Sequence, residues 1–197
     1  MRIIAGKYRR RKLHVNPGQT TRPITDFVKE VLFEWLGETV KEKRVADIYA
    51  GTGSLGLEAL SRGASSVVFM EQDRKAHELL KRNVESIGAE PETLCWKTNA
   101  LLSSFRPKNV PEFVPFDLIF FDPPYKMLDD LKPGSRLYES LERLARDTVS
   151  SDDCHLILRA PRDAEFECPP VWEKYDLLQK SSMDIHFMKK QTAQNQS

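Results

Sequence analysis

Residues 47–60 read DIYAGTGSLGLEAL, and this stretch decides the fold. The apolar run that ends at Ala50 predicts a strand, and the run after the glycines predicts a helix. Gly51, Gly53 and Gly56 form a G-x-G-x-x-G pattern between the two, and such glycines let the backbone approach a nucleotide-like ligand closely. The stretch therefore predicts the first strand–turn–helix unit of a nucleotide-binding α/β fold.

Strand and helix patterns alternate from about residue 44 onward. The predicted strands are RVADIYA, SSVVFME, ETLCWKTNA, FDLIFF and CHLILRA, followed by a terminal hairpin over residues 172–190. Alternation of this kind is typical of a doubly wound, mainly parallel sheet with helices on both faces. Ligands of such sheets bind at the carboxyl ends of the strands.

Polar side chains stand at three of these strand ends. Glu71 ends the second strand 18 residues after Gly53, where a carboxylate can bind both hydroxyls of an adenosine ribose. Asn99 follows the third strand and is placed to contact an adenine. The ligand could be NAD or S-adenosylmethionine; Asp47 favours the latter, whose amino-acid end carries an ammonium group.

The fourth strand ends abruptly in FFDPPYK, residues 120–126. We interpret this stretch as a clamp for the exocyclic amine of a nucleobase. The Asp122 carboxylate would accept one N–H and the Pro123 carbonyl the other, which localises the nitrogen lone pair and stabilises the positive charge that develops on it. Tyr125 offers a ring on which an unstacked base can lie. The prolines predict a stiff loop that holds the acceptors in place.

The chain has a basic head and an acidic body. Residues 1–44 carry 11 Lys and Arg against 5 Asp and Glu, and the remaining residues carry 19 against 24. Residues 2–15 predict a β-hairpin or two short strands, and residues 22–37 predict a helix with a wide apolar stripe that includes Phe27 and Trp35. The candidate RNA-binding residues of this head are Lys7, Arg9, Arg10, Arg11 and Lys12.

Composition and length set the remaining expectations. With 197 residues, 40% hydrophobic and 30% charged, the chain suits one domain of ordinary globular type. Three cysteines without a CxxC pair predict reduced thiols, and four scattered histidines predict no metal site. No signal peptide or membrane span is expected, and reduced thiols suit the cytosol, so we expect a cytoplasmic protein. We take a monomer as the default oligomeric state. We divide the chain into a head (1–40), a Rossmann-like domain (41–190) and a disordered tail (191–197).

The chain as a whole resembles the RsmD-type family of 16S rRNA guanine-N2 methyltransferases. The matching segments are RIIAGKYR, TRPITDFVKEVLF, GTGSLGLEALSRGA and FDPPY. The resemblance implies a class I S-adenosylmethionine-dependent methyltransferase fold, which is Rossmann-like with a mainly parallel seven-stranded sheet, preceded here by a small β-hairpin and a helix. It further implies S-adenosylmethionine as methyl donor and a guanine of small-subunit rRNA as target.

The resemblance also implies roles for the head. Its basic hairpin would grip RNA, and Arg22 and Thr25 would approach the cofactor pocket. The sequence departs from the family at several positions: glycine is usual where Arg10 stands, and aspartate where Asn99 stands. Because the chain is small, we expect the 16S rRNA target to be presented within a partly or fully assembled small ribosomal subunit.

Three alternatives remain open at this point. The clamp suits an adenine-N6 methyltransferase acting on DNA or another RNA equally well. A dinucleotide-dependent oxidoreductase would share the glycine turn but needs another account of Asp122. A non-catalytic RNA-binding module would need neither the clamp nor the turn.

Overall fold

A computed structural model describes residues 1–15, 24–180 and 182–191. Within these residues seven strands form one sheet in the order β3-β2-β1-β4-β5-β7-β6. The strands are β1 (Arg44–Ile48), β2 (Ser66–Glu71), β3 (Thr93–Lys97), β4 (Phe116–Phe121), β5 (Ser150–Pro161), β6 (Trp172–Lys180) and β7 (Met183–Lys190). β1 to β5 are parallel, and β7 is antiparallel to both of its neighbours. The predicted doubly wound α/β sheet with its terminal hairpin is confirmed.

Helices cover both faces of the sheet. They are α1 (Asp26–Leu36), α2 (Ser54–Ser61), α3 (Arg74–Ile87), α4 (Tyr125–Leu128) and α5 (Arg136–Leu144). Side chains of α1, α2 and α3 share one buried core with the sheet, and side chains of α4 and α5 share the other. Local caps begin three of the helices: the side chains of Thr25, Asp73 and Ser135 accept N–H bonds from the first turns of α1, α3 and α5.

The apolar stripe of α1 differs from the prediction at two positions. Phe27 is 62% exposed and Trp35 is 39% exposed, whereas Phe33 is buried and packs against Phe120 of β4. Lys29 takes an inward position on the same helix. The helical period alone did not indicate which edge of the wide stripe faces the sheet.

The predicted N-terminal hairpin is reduced to a single antiparallel bridge between Arg2 and Lys12. The segment instead lies on the helices: the N–H groups of Ile4 and Ala5 donate to the Glu58 carboxylate of α2. The segment and α1 contribute Ile3 and other buried side chains to the same core as α2 and α3. The boundary near residue 40 stays a prediction, and residues 192–197 of the predicted tail lie outside the described part of the chain.

The register of the ladder brings the predicted site together. Ile48 at the end of β1 pairs with Phe121 at the end of β4, and the Asp122 N–H donates to the Ile48 carbonyl at 3.3 Å. The residues after β1 and after β4 therefore leave the sheet side by side. Directly after the prolines, Tyr125 begins α4.

Candidate active site

The glycine turn after β1 has two kinds of glycine. Gly51 and Gly53 have φ values of 57° and 84°, in the left-handed region that favours glycine. Gly56 lies inside α2, where an added Cβ would come within 2.3 Å of Phe69 in β2. At Gly51 an added Cβ would meet nothing within 4 Å, so this position opens onto free space beyond the strand ends.

Two predicted cofactor-binding carboxylates hold this turn in place. Asp47 is only 2% exposed, and its Oδ2 accepts the Gly56 N–H at 2.9 Å. Glu71 accepts the Gly51 N–H at 2.8 Å through Oε2 and the Asp73 N–H at 2.7 Å through Oε1. Burial raises the pKa of both carboxyls, and these backbone hydrogen bonds oppose the rise. The structure thus gives Asp47 and Glu71 a bracing role that the sequence did not predict.

The remaining predicted cofactor residues are engaged locally. Asn99 Oδ1 accepts the Leu101 N–H at 2.9 Å, which forms a turn directly after β3. Thr25 is exposed, and its Oγ1 accepts the Val28 N–H at 3.2 Å as the cap of α1. Arg22 lies outside the described residues.

An ion pair missed by the sequence interpretation lies at the predicted clamp. Arg159 of β5 donates to Asp122 through two parallel bonds, Nε to Oδ1 and Nη2 to Oδ2, each 2.7 Å long. Burial raises the pKa of the Asp122 carboxyl, and the charge of Arg159 opposes that rise. The Arg159 guanidinium also lies 5.9 Å from the centre of the Tyr125 ring. The signal in the sequence was a lone arginine within the apolar strand CHLILRA.

The basic side chains of the head are exposed, and the segment that carries them lies along α2. All five, Lys7, Arg9, Arg10, Arg11 and Lys12, are exposed, whereas the intervening Tyr8 is buried. The Lys7 N–H donates to the carbonyl of Ser61, the last residue of α2, while Ser54, the first, adjoins the glycine turn. Because eight helical residues span about 12 Å, Lys7 lies about that far from the turn along α2. Lys12 lies nearer the turn, because Asn83 Nδ2 donates both to the carbonyl of His14, two residues further on, and to the Thr52 carbonyl.

Three further expectations concern the cysteines, metal sites and membrane spans. The three cysteines are free thiols, as predicted. Within residues 1–15, 24–180 and 182–191, no group of three or more His, Cys, Asp or Glu side chains could hold a metal ion. No helix in this part of the chain is long and apolar enough to cross a membrane.

The sheet order, the antiparallel β7 and the glycine turn after β1 define the class I S-adenosylmethionine-dependent methyltransferase fold. The chain belongs to the family described as conserved hypothetical protein 95, whose family model matches residues 1–188. This match and the relatives below confirm the resemblance predicted from the sequence.

Known relatives and structures resemble this chain as follows. A Haemophilus influenzae protein named "Ribosomal RNA small subunit methyltransferase D" is 40% identical over 126 residues, which cover 64% of each chain. YlbH of Bacillus subtilis, provisionally named an rRNA methyltransferase, is 32% identical over 86% of each chain. The solved structure of Escherichia coli yhhF, provisionally named a methyltransferase, covers 98% of both chains with a TM-score of 0.79 and 27% identity.

Proposed function

We propose that this protein transfers a methyl group from S-adenosylmethionine to the exocyclic N2 amine of a guanine in small-subunit (16S) rRNA. The observation that carries the proposal is the Asp122 carboxylate, which leaves the sheet beside the glycine turn. An amine acceptor and an opening for a nucleoside cofactor therefore share one edge of the sheet. The names of the Haemophilus and Bacillus relatives support an rRNA substrate.

The residues present fit S-adenosylmethionine. The open space at Gly51 lets the cofactor approach the backbone, and the half-buried Glu71 carboxylate at the end of β2 suits the ribose hydroxyls. Asp47 would attract the ammonium group, and Asn99 the adenine; Arg22 and Thr25 would approach from the head. When bound, the cofactor supplies a methyl group on a sulfonium, which makes a metal unnecessary for the transfer.

The clamp activates the target amine. An exocyclic amine is a weak nucleophile, because its lone pair is delocalised into the base. Asp122 accepts one amine N–H and the Pro123 carbonyl the other, which draws the nitrogen toward tetrahedral geometry and stabilises its developing positive charge. Tyr125 supports the unstacked base. The transfer is direct, without a covalent intermediate on the protein.

The basic segment would bind RNA beside the glycine turn. It runs from Lys7, about 12 Å along α2 from the glycine turn, back to Lys12, two residues before His14, whose carbonyl Asn83 links to the Thr52 carbonyl of that turn. We infer that the segment contacts the phosphates of a neighbouring stretch of RNA, and that the small ribosomal subunit presents that stretch. The protein would act as a cytoplasmic monomer. An adenine-N6 methyltransferase is not favoured, because the matched relatives are named for ribosomal RNA.

A labelled methyl-transfer assay tests the proposal. The protein is incubated with methyl-labelled S-adenosylmethionine and either unmodified small ribosomal subunits or naked 16S rRNA, and the RNA is then digested to nucleosides. We expect label in N2-methylguanosine, with subunits the better substrate. Label in N6-methyladenosine would show that the target is an adenine instead of a guanine and would still support the amine clamp. Absence of label from both RNAs, with the cofactor bound, would contradict the proposed function.

A further inference from the structure

Arg159 and Asp122 form a forked ion pair near the carboxyl ends of two neighbouring strands. Phe121 of β4 pairs with Leu158 of β5, and Asp122 and Arg159 are the next residues along these parallel strands. The two charged residues therefore lie side by side. The side chains are 17% exposed for Asp122 and 10% for Arg159. A planar fork that meets both carboxylate oxygens fixes the orientation of the carboxylate as well as its distance.

Among the described residues, the pair has acidic and aromatic neighbours. The Asp47 carboxyl on β1 has charge–charge interactions with both members of the pair, and Glu71 on β2 has one with Asp47. Tyr125 on α4 lies against the guanidinium. Arg159 is therefore a cation that offsets two neighbouring carboxylates, Asp122 and Asp47, at this edge of the sheet.

We propose that Arg159 is a positioning residue for the amine clamp: it orients the Asp122 carboxylate and keeps it ionised, while the base amine binds the remaining acceptor sites. This inference rests on the proposed function. An ionised carboxylate offers about four lone-pair sites, and Arg159 uses two of them, so arginine and amine can be accepted together.

Displacement of Arg159 by the base is the competing arrangement, and the burial of the pair argues against it. Separating the two groups would leave a desolvated charge without its partner, which is strongly unfavourable. We infer instead that the exposed part of Asp122 accepts the additional contact. A neutral Asp122 would lose this ability, because a protonated carboxyl donates through one oxygen.

Two substitutions separate the charge of Arg159 from its geometry. Arg159→Gln removes both, whereas Arg159→Lys keeps the charge and loses the planar fork. The matched control is Arg44→Gln. Arg44 makes a similar forked pair with Asp117 at the opposite end of β4, with Nε–Oδ2 and Nη2–Oδ1 distances of 3.0 and 3.1 Å.

The first readout is methyl transfer by variants that chemical denaturation shows to be folded. We expect Arg159→Gln to lower kcat by about 100-fold with little change in the KM for RNA, because a misplaced acceptor impairs the reacting geometry. As pH falls, the activity of Arg159→Gln should be lost at a higher pH than that of the wild type. Arg159→Lys should keep the wild-type pH profile with a reduced kcat, and Arg44→Gln should keep both. Equal or higher turnover by Arg159→Gln would overturn the proposal.

The second readout does not depend on activity. Asp122 is assigned by NMR with carboxyl-¹³C aspartate, and its titration is compared between wild type and Arg159→Gln without RNA or cofactor. We expect the midpoint to move to higher pH in the variant, because burial then acts without the opposing cation. An unchanged midpoint would overturn the inference even if wild-type protein methylates guanine. If the wild type transfers no methyl group, the proposed function fails while this titration still decides the role of Arg159.

Discussion

Lys29 of α1 and Glu58 of α2 form an ion pair in which neither side chain is exposed to solvent. The Nζ–Oε2 distance is 3.3 Å. Lys29 Nζ also donates to the Arg2 carbonyl at 2.6 Å and to Ser54 Oγ at 3.2 Å. Glu58 in turn accepts the backbone N–H groups that hold the N-terminal segment. The pair therefore ties the head to the helix that follows the glycine turn.

We expect Lys29→Met to lower the free energy of unfolding by about 3–5 kcal/mol, because it leaves a buried carboxylate without one of its cations. Urea denaturation measures the change. Lys41→Met is the control: the Lys41–Glu38 pair is exposed, and its loss should cost at most about 1 kcal/mol. Equal costs for the two substitutions would show that the buried pair contributes no more than a surface pair.

Gly51 and Gly88 offer a test of the proposed cofactor opening. Both have positive φ, at 57° and 69°, and an added Cβ meets no atom within 4 Å at either. Gly51→Ala and Gly88→Ala should each cost about 1 kcal/mol of stability, because alanine resists this backbone conformation. Calorimetric titration with S-adenosylmethionine should show weakened binding for Gly51→Ala alone. Equal affinities in the two variants would show that the cofactor does not bind against Gly51.

Substitution by glycine should stabilise the fold at Arg10 and destabilise it at Arg9. Arg10 has a φ of 69°, which fits the glycine usual there in the family, so Arg10→Gly should stabilise the fold by about 1 kcal/mol. Arg9 is not among the described residues with positive φ, so Arg9→Gly should destabilise it by roughly 0.5–1 kcal/mol. Each variant should reduce the salt dependence of RNA binding by about one phosphate contact. RNA binding with an unchanged salt slope in both would assign these arginines to an ordinary solvated surface.

Asp47 should give stability a specific pH dependence. Its folded-state pKa is raised chiefly by burial, so its contribution is fully present below the ordinary aspartate range and is lost as pH rises through the raised pKa. Asp47→Asn keeps an acceptor for the Gly56 N–H but cannot ionise. Its free energy of unfolding should therefore fall less than that of the wild type between about pH 4 and pH 7.

Asp153→Asn is the control for this measurement. The Asp153 carboxylate is exposed beside Lys189, which lowers its pKa, so its removal should not flatten the fall of stability with rising pH. Parallel pH curves for wild type and Asp47→Asn would contradict the raised pKa. Weaker S-adenosylmethionine binding by Asp47→Asn would add support for the ammonium contact.

The sequence predicted what depends on local patterns. The sheet, the glycine turn and the placement of Asp122 at a strand end follow from residue periods and turn chemistry within short windows. The Asp122–Arg159 and Lys29–Glu58 pairs join residues 37 and 29 positions apart. No periodicity specifies such partners, because the ladder register and the helix packing bring them together. The same packing leaves Phe27 exposed, whereas the helical period predicted that it would be buried.

The most direct test of the central claim is single-turnover methyl transfer by Asp122→Asn. Its control is Asp117→Asn, which breaks the forked pair with Arg44 at the other end of β4. Both variants lose one partner of an arginine pair, so both are checked for folding and for S-adenosylmethionine binding. The clamp predicts that Asp122→Asn binds the cofactor but transfers methyl at least about 100-fold more slowly, whereas Asp117→Asn reacts at the wild-type rate. Near-normal transfer by folded Asp122→Asn would contradict the clamp.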